Sequence, residues 1–166
     1  MKSLDDLFLH FLQDIYYAER QLLKTLPKMA KNAQEPALKD AFTAHREETV
    51  HQIERLEQVF EHLGKRPKGV PCEAIKGLIE EAEEVLDDSD AGAVRDAGLV
   101  ACAQAVEHYE MARYGALIAW AQAGGHKEMV GLLQQTLNEE KKADKLLSDL
   151  GANQINKSAS ALAKAA

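Results

Sequence analysis

Cysteine, basic residues and long apolar runs are scarce in this chain. Its only cysteines, Cys72 and Cys102, form no Cys-x-x-Cys pair, which argues against a disulfide scaffold and a zinc–thiolate site. No run of about 18 apolar residues is present to span a membrane, and the beginning Met-Lys-Ser-Leu-Asp-Asp lacks the apolar segment of a secretion signal. We therefore expect a cytoplasmic protein with no membrane partner.

Positive charge is outnumbered by negative charge. The 20 lysines and arginines stand against 27 aspartates and glutamates, and the formal net charge is -7. Binding to a nucleic-acid backbone requires a concentrated basic surface. We therefore expect no nucleic-acid partner.

Aromatic residues and prolines are also few, and their scarcity predicts an all-α protein. Aromatics make up 5% of the chain, while Ala, Leu, Glu and Lys, which favour helix over strand, are abundant. All four prolines lie in the first 71 residues, so the strongest helix breaker is missing from the rest. Capping and breaking residues predict long helices over 3–33, 36–63, 91–123 and 126–150, and a shorter helix over 73–86.

The connections between these helices predict their topology. Short turns near residue 34 and at Gly124-Gly125 make two antiparallel hairpins. The segment 64–90, with its short helix and extended residues, is long enough to span the bundle. The expected fold is a ferritin-like elongated four-helix bundle, in which a long crossover joins the two hairpins. We expect this domain to cover residues 1–152 and a polar tail to cover 153–166, and the sequence leaves the conformation of the tail open.

Carboxylates interrupt the apolar faces of all four long helices near their midpoints. Taken singly, each can be explained by a phase error of one position or by a side chain that reaches water. The hairpin turns change this interpretation, because folding at them sets first-helix carboxylates opposite those of the second helix, and third opposite fourth. One layer of the bundle then collects Glu19, Glu48, Glu107, Glu110, Glu140 and Asp144.

Six carboxylates in an apolar layer would repel one another unless they are protonated or neutralised by cations. Oxygen ligands from four helices suit two divalent ions, iron or manganese. Glu48 and His51 form Glu-x-x-His, a spacing that adds an imidazole ligand on the same helix face, with an exposed His51 as the alternative. The fourth helix has no such imidazole, since Ala143 stands three residues after Glu140.

Other polar residues of these helices have simpler interpretations. For His45 and His108 we expect core packing or a hydrogen bond to a buried neighbour. Tyr16 and Tyr114 lie one helical turn from carboxylates of the predicted site, and either can donate a hydrogen bond to it or close the edge of the core.

The sequence resembles a known family at these residues. The motifs are Leu-Asp-Asp-Leu-Phe-Leu-His-Phe-Leu-Gln-Asp-Ile-Tyr-Tyr-Ala-Glu-Arg-Gln-Leu, His-Arg-Glu-Glu-Thr, Val-Glu-His-Tyr-Glu-Met-Ala-Arg-Tyr-Gly and Glu-Glu-Lys-Lys-Ala-Asp. They are similar to motifs of bacterial stress-associated ferritin-like proteins of the YciE/YciF type, whose fold resembles the rubrerythrin four-helix domain. The resemblance spans residues 3 to about 150 and implies a role in the stress response. It also implies that the six carboxylates are metal ligands. This chain differs from rubrerythrin-like sites in having Ala143 at the position of their fourth-helix histidine.

Three functions follow as hypotheses. The first is a dinuclear metal protein that binds iron or manganese and reacts with a small oxidant, peroxide or oxygen, as an oxidoreductase. The second is a non-catalytic helical bundle that acts through self-association or a protein partner, with a structural or vestigial metal site. The third is iron storage or DNA protection in a hollow assembly, against which the lack of a basic terminal arm argues. We expect a homodimer, since cyclic dimers are the commonest assemblies.

Overall fold

A computed structural model describes residues 1–162 of the chain, and these residues are helical apart from short connections. The helices are α1 (Leu4–Asn32), α2 (Pro36–His62), α3 (Glu73–Asp88), α4 (Ala93–Ala123) and α5 (Lys127–Leu150). Each lies within two residues of its predicted bounds at both ends. The all-α class and the long crossover with a short helix are confirmed. Among residues 1–162, none of the helices combines the length and the hydropathy that a membrane span requires.

The helix ends follow from local chemistry. The Ser3 hydroxyl accepts the backbone N–H of Asp6 at the start of α1, which satisfies a free amide of the first turn. Pro36 occupies the first turn of α2, where its missing N–H costs nothing. The turn between α4 and α5 ends in Gly125 with φ of 75°, a conformation that side-chain-bearing residues rarely adopt.

The four long helices form a bundle in which α1 contacts α2 and α4, while α5 contacts α2 and α4. Asp96, near the start of α4, accepts the backbone N–H groups of Gln34 and Glu35 in the turn after α1. The start of α4 therefore lies at the opposite end of the bundle from the end of α2, and the crossover runs the length of the bundle. Helix α3 packs on α4, where Gly98 leaves room for Val85.

The core follows a heptad-like spacing along each long helix. The buried positions of α2 include Leu38, Phe42, His45, Thr49, Gln52, Leu56 and Val59, which alternate steps of four and three residues, and Phe60 is buried beside Val59. Such spacing keeps one face of a helix towards its antiparallel neighbours. It also decides which polar residues point into the bundle.

The chain continues as helix beyond α5. A π-helical turn (Gly151–Ile155) leads into α6 (Asn156–Leu162). The side chain of Ile155 is buried, and α6 packs against α4. Residues 163–166 of the predicted polar tail lie outside the described residues, and the division of the chain at residue 152 stays a prediction.

Candidate metal centre

Three helices bring four polar side chains together in the middle of the bundle. They are His45 from α2, Glu107 and Glu110 from α4, and Glu140 from α5, and we call them the central group. All four are buried, and one ligand atom from each lies within 4.8 Å of the others. Three carboxylates and one imidazole are a donor set that iron, manganese and zinc all accept.

The heptad phase of each helix explains why these side chains point inward. Glu107 and Glu110 occupy consecutive positions of the α4 series that runs from Val100 through Ala103 to Tyr114. Glu140 follows Leu133 and Thr136 in the same spacing on α5. Apolar neighbours on the same helix faces drive burial and carry the carboxylates into the core with them.

Several polar atoms of this layer have no hydrogen-bond partner among the described residues. They are Oε2 of Glu19, Nδ1 of His45, Oε2 of Glu107, both carboxylate oxygens of Glu110, Oε1 of Gln52 and Oε2 of Glu140. A buried polar atom without a partner costs free energy, and an ionised one costs more. A cation placed among these oxygens would satisfy them, so the residues present fit a metal site.

His45 holds the carboxylates of two helices together. Its Nε2 lies 3.3 Å from Oε1 of Glu107 and 3.9 Å from Oε2 of Glu140. On the other side of the ring, Nδ1 lies 3.6 Å from Oε2 of Glu48. An imidazole in this place can pair with carboxylates when protonated or ligate a metal when neutral.

Outer side chains hold Glu140 in place. The Gln52 amide donates a hydrogen bond of 2.6 Å to Oε1 of Glu140 and one of 3.2 Å to Oε2 of Glu139. Arg55 in turn pairs with Glu139 and donates to the hydroxyl of Thr136 at 2.9 Å. This network leaves Oε2 of Glu140 directed at the central group, as outer partners of metal ligands commonly do.

Glu19 adds a carboxylate from the remaining long helix. It is fully buried, and its Oε1 accepts the hydroxyl proton of Tyr114. Its charge is one cause of the raised pKa of Glu110, so the two carboxylates are electrostatic neighbours. Glu19 therefore lies in the same layer as the central group, with Tyr114 beside it.

Burial raises the pKa of every carboxyl in this layer. Desolvation is the largest cause for Glu19, whose pKa rises to about 7 against the hydrogen bond from Tyr114. For Glu110 and Glu140 burial and the neighbouring carboxylates raise the pKa well above 4.5, and burial also raises that of Glu107. Without a cation, burial therefore favours the protonated form of these carboxyls.

For the pKa of His45, neighbouring carboxylates outweigh the effect of burial. Burial alone would lower its pKa, but the contact with Glu48 and the charges of Glu107 and Glu19 outweigh burial and raise it. Glu48 responds in the complementary direction, because the contact with His45 lowers its pKa. Both shifts favour an ion pair of protonated His45 and ionised Glu48 at the edge of the carboxylate layer.

The structure does not bring all predicted ligands into the central group. Glu48 reaches only the outer side of His45, and its side chain is 47% exposed. Asp144 accepts the Gln104 amide and lies 3.3 Å from His108. His51 is 68% exposed and contacts Glu54 at 3.1 Å, so it lies on the surface of α2.

Sequence reasoning assigned His45 to the core and did not count it among the ligands. The side chain is buried, and its Nε2 lies 3.3 Å from Oε1 of the buried Glu107. Strict heptad spacing from Phe42 through His45 to Thr49 would have identified it. The Glu-x-x-His spacing drew attention to positions 48 and 51 instead, which lie one residue out of phase.

Known proteins are similar to this chain in both sequence and fold. The chain is 47% identical over 160 residues to YciF of Escherichia coli strain K12, with 96% of each chain covered. The crystal structure of that stress protein superposes with a TM-score of 0.90 and covers 95% of this chain and 99% of its own. YcfI from Rhodopseudomonas palustris, a proposed structural protein, is 54% identical, with a TM-score of 0.87 over 89% of this chain and 94% of its own.

A family model agrees with these relatives. It matches residues 3–160 and describes a domain of unknown function, DUF892. The match takes in α1 to α5, the central group and most of α6. The chain belongs to the DUF892 family, as a YciF-like protein with a ferritin-like helical bundle.

Proposed function

We propose that this protein binds two divalent metal ions, iron or manganese, in the carboxylate layer and reacts with peroxide or oxygen in the stress response. The observation that carries the proposal is the convergence of His45, Glu107, Glu110 and Glu140. Five carboxylate oxygens of this layer, one of them from Glu19, have no hydrogen-bond partner within residues 1–162. Relatedness to the stress protein YciF supports the stress role.

The chain's own residues divide the work in this mechanism. His45, Glu107, Glu110 and Glu140 would hold the ions, and Glu19 would add a ligand from α1. Bound ions of this kind supply Lewis acidity and one-electron redox chemistry to an oxygen-containing substrate. Gln52 orients Glu140 and Tyr114 orients Glu19, while the apolar bundle keeps bulk water out of the layer.

Metal titration tests the proposal directly. Metal-free protein is titrated anaerobically with Fe(II) or Mn(II), and bound metal is counted by elemental analysis. We expect two ions per chain, and a loss of affinity of more than about a hundredfold in Glu110→Gln, since losing even an outer partner of a ligand costs 10- to 100-fold. Glu47→Gln, which changes an exposed carboxylate of α2, is the matched control.

Three results would count against the proposal. Absence of tight binding would contradict the proposed metal centre, and a single ion per chain would contradict its dinuclear character. A loaded protein that consumes neither peroxide nor oxygen would remove the enzymatic part. Each result addresses a different part of the proposal.

The second candidate function is a non-catalytic bundle that acts through self-association or a protein partner, with a metal site that is structural or vestigial. The observation in its favour is the likeness to YcfI, which is itself described as a proposed structural protein. A homodimer fits either candidate. Under this candidate, metal raises the melting temperature but no oxidant is consumed.

Size measurement and thermal unfolding separate the two candidates. Light scattering gives the particle mass with and without metal, and it also tests a hollow assembly. A dimer that forms only with metal and lacks turnover supports the structural role. Turnover that persists when self-association is prevented by dilution supports the enzyme.

A further inference from the structure

An apolar cavity of about 140 Å³ lies beside the central group. All four long helices line it. The inner wall consists of buried apolar side chains, among them Leu22, Leu26 and Met29 of α1 and Leu147 of α5. A cavity of this size can hold a small organic molecule, since engineered apolar cavities of about 150 Å³ bind benzene.

One end of the cavity is polar and belongs to the candidate metal centre. His45 and Glu107 form this end, and Glu107 has an oxygen without a partner among the described residues. The cavity is open on the side between α2 and α5, where Glu48, Lys142 and Leu146 are exposed. A molecule entering there would pass its apolar part along the aliphatic wall and reach His45 and Glu107 with one end.

Ala143 helps to explain why this space exists. It stands three residues after Glu140 and lines the cavity. A larger residue at this position would fill the space between α5 and the His45–Glu107 end. Alanine at this position supplies no metal ligand, but its small side chain leaves space beside the metal site.

We propose that this cavity binds a small molecule with an aliphatic body of about six carbons and a single terminal O–H group, directed at His45 and Glu107. An alkyl hydroperoxide has this shape, whereas hydrogen peroxide has no apolar part to bind. The inference deepens the proposed function, on which it rests for the ligand's role as substrate. Ligand binding itself needs no metal.

Methionine NMR in the metal-free protein tests this cavity. The chain has four methionines; Met29 lines the cavity, while Met111 and Met129 do not. With methyl-labelled methionine, n-hexanol serves as an unreactive probe. We expect a saturable shift of the Met29 methyl signal and no comparable shift of Met111 or Met129.

Cavity filling supplies the second arm of the test. Ala143→Leu should weaken n-hexanol binding at least tenfold, and Ala101→Leu, on the exposed face of α4, should leave it unchanged. Equal shifts at all methionines, no shift at Met29, or undiminished binding by folded Ala143→Leu would overturn the inference. Should Ala143→Leu not fold, the Met29 signal of the unsubstituted protein decides alone.

This test separates the inference from the proposed function. Saturable hexanol binding in a protein that binds no metal would keep the cavity site and remove its role as a substrate site. Metal binding without hexanol binding would keep the metal centre and remove the apolar substrate class.

Discussion

Two regions of this bundle bury carboxylates, and they treat them in opposite ways. At the end of the bundle, Asp96 is 2% exposed, and both of its oxygens accept backbone N–H groups of Gln34 and Glu35 at 2.7 to 3.2 Å. In the middle of the bundle, Glu110 is fully buried, and neither oxygen has a partner among the described residues.

The difference shows what each carboxylate is for. A buried carboxylate with several amide donors is stable as an anion and joins two parts of the fold. A buried carboxylate without donors destabilises the protein unless it keeps its proton or meets a cation. Asp96 therefore has a structural role, whereas Glu110 has the properties of a ligand.

The largest expected effect is a dependence of stability on pH that the central layer causes and Asp96 does not. In the metal-free protein the pKa of Glu19 is about 7 when folded and 4.5 when unfolded, so the folded state binds more protons between these values. The free energy of unfolding should therefore fall as pH rises from about 4.5 to 7, by about 3 kcal/mol for Glu19 alone. The raised pKa of His45 acts in the same direction, since its stabilisation is lost as pH rises above 6.5.

Urea unfolding with a chelator at pH 5 and pH 7.5 measures this loss. Glu19→Gln, which has no proton to lose, should show a smaller loss between the two pH values. Saturating metal should reverse the trend, because metal binds the deprotonated carboxylates. Stability that rises with pH in the metal-free protein would contradict the assignment.

Replacing a buried carboxylate by an amide should change the free energy of unfolding more at Asp96 than at Glu110. Asp96→Asn places an NH₂ group near amide donors and should lower the free energy of unfolding by about 2 kcal/mol. Glu110→Gln in the metal-free protein should cost less than about 1 kcal/mol at pH 7.5, because burial raises the pKa of Glu110 and so favours the neutral carboxyl, which a neutral amide replaces. Chemical denaturation of both variants in chelator gives the comparison, and equal losses would remove the distinction.

Gln52→Leu tests whether the hydrogen bond from Gln52 positions Glu140 for metal binding. It removes the amide that holds Glu140 while keeping the buried volume similar. We expect metal affinity to fall about tenfold, with the same number of ions bound at saturation. Gln58→Leu, at an exposed position of the same helix, is the matched control. An unchanged affinity in Gln52→Leu would show that Glu140 needs no positioning.

The smallest effect is expected at His51. Because its side chain is largely exposed and contacts only Glu54 among the described residues, His51→Ala should change stability by less than about 0.5 kcal/mol. Metal stoichiometry should also stay the same. A loss of bound metal would place His51 among the ligands after all and would require α2 to rotate.

The helices could be predicted from the sequence because their causes are local. Ser3, Pro36 and the Gly124-Gly125 pair mark helix ends through capping and backbone conformation, which involve only neighbouring residues. Inward carboxylates could also be predicted where they fall in strict heptad phase. Glu19, Glu107, Glu110 and Glu140 meet this condition, and all four are buried.

The membership of the central group could be predicted only in part, because it depends on helix rotation. One residue along a helix turns a side chain by about 100°, so Glu48 and Asp144 reach the edge of the layer while His45 reaches its centre. Register along a hairpin brings residues to the same height. Register does not determine which side of its helix each residue occupies.

An all-helical bundle with a long crossover and a polar layer rich in carboxylates can therefore be predicted from the amino-acid sequence, since these features follow from local propensity and periodicity. Tertiary packing alone decided that His45 replaces His51 at the centre and that Gln52 and Tyr114 hold the neighbouring carboxylates. It also decided that the space beside Ala143 stays open as a cavity. Contacts between helices depend on rotation and packed volume, which no single helix encodes.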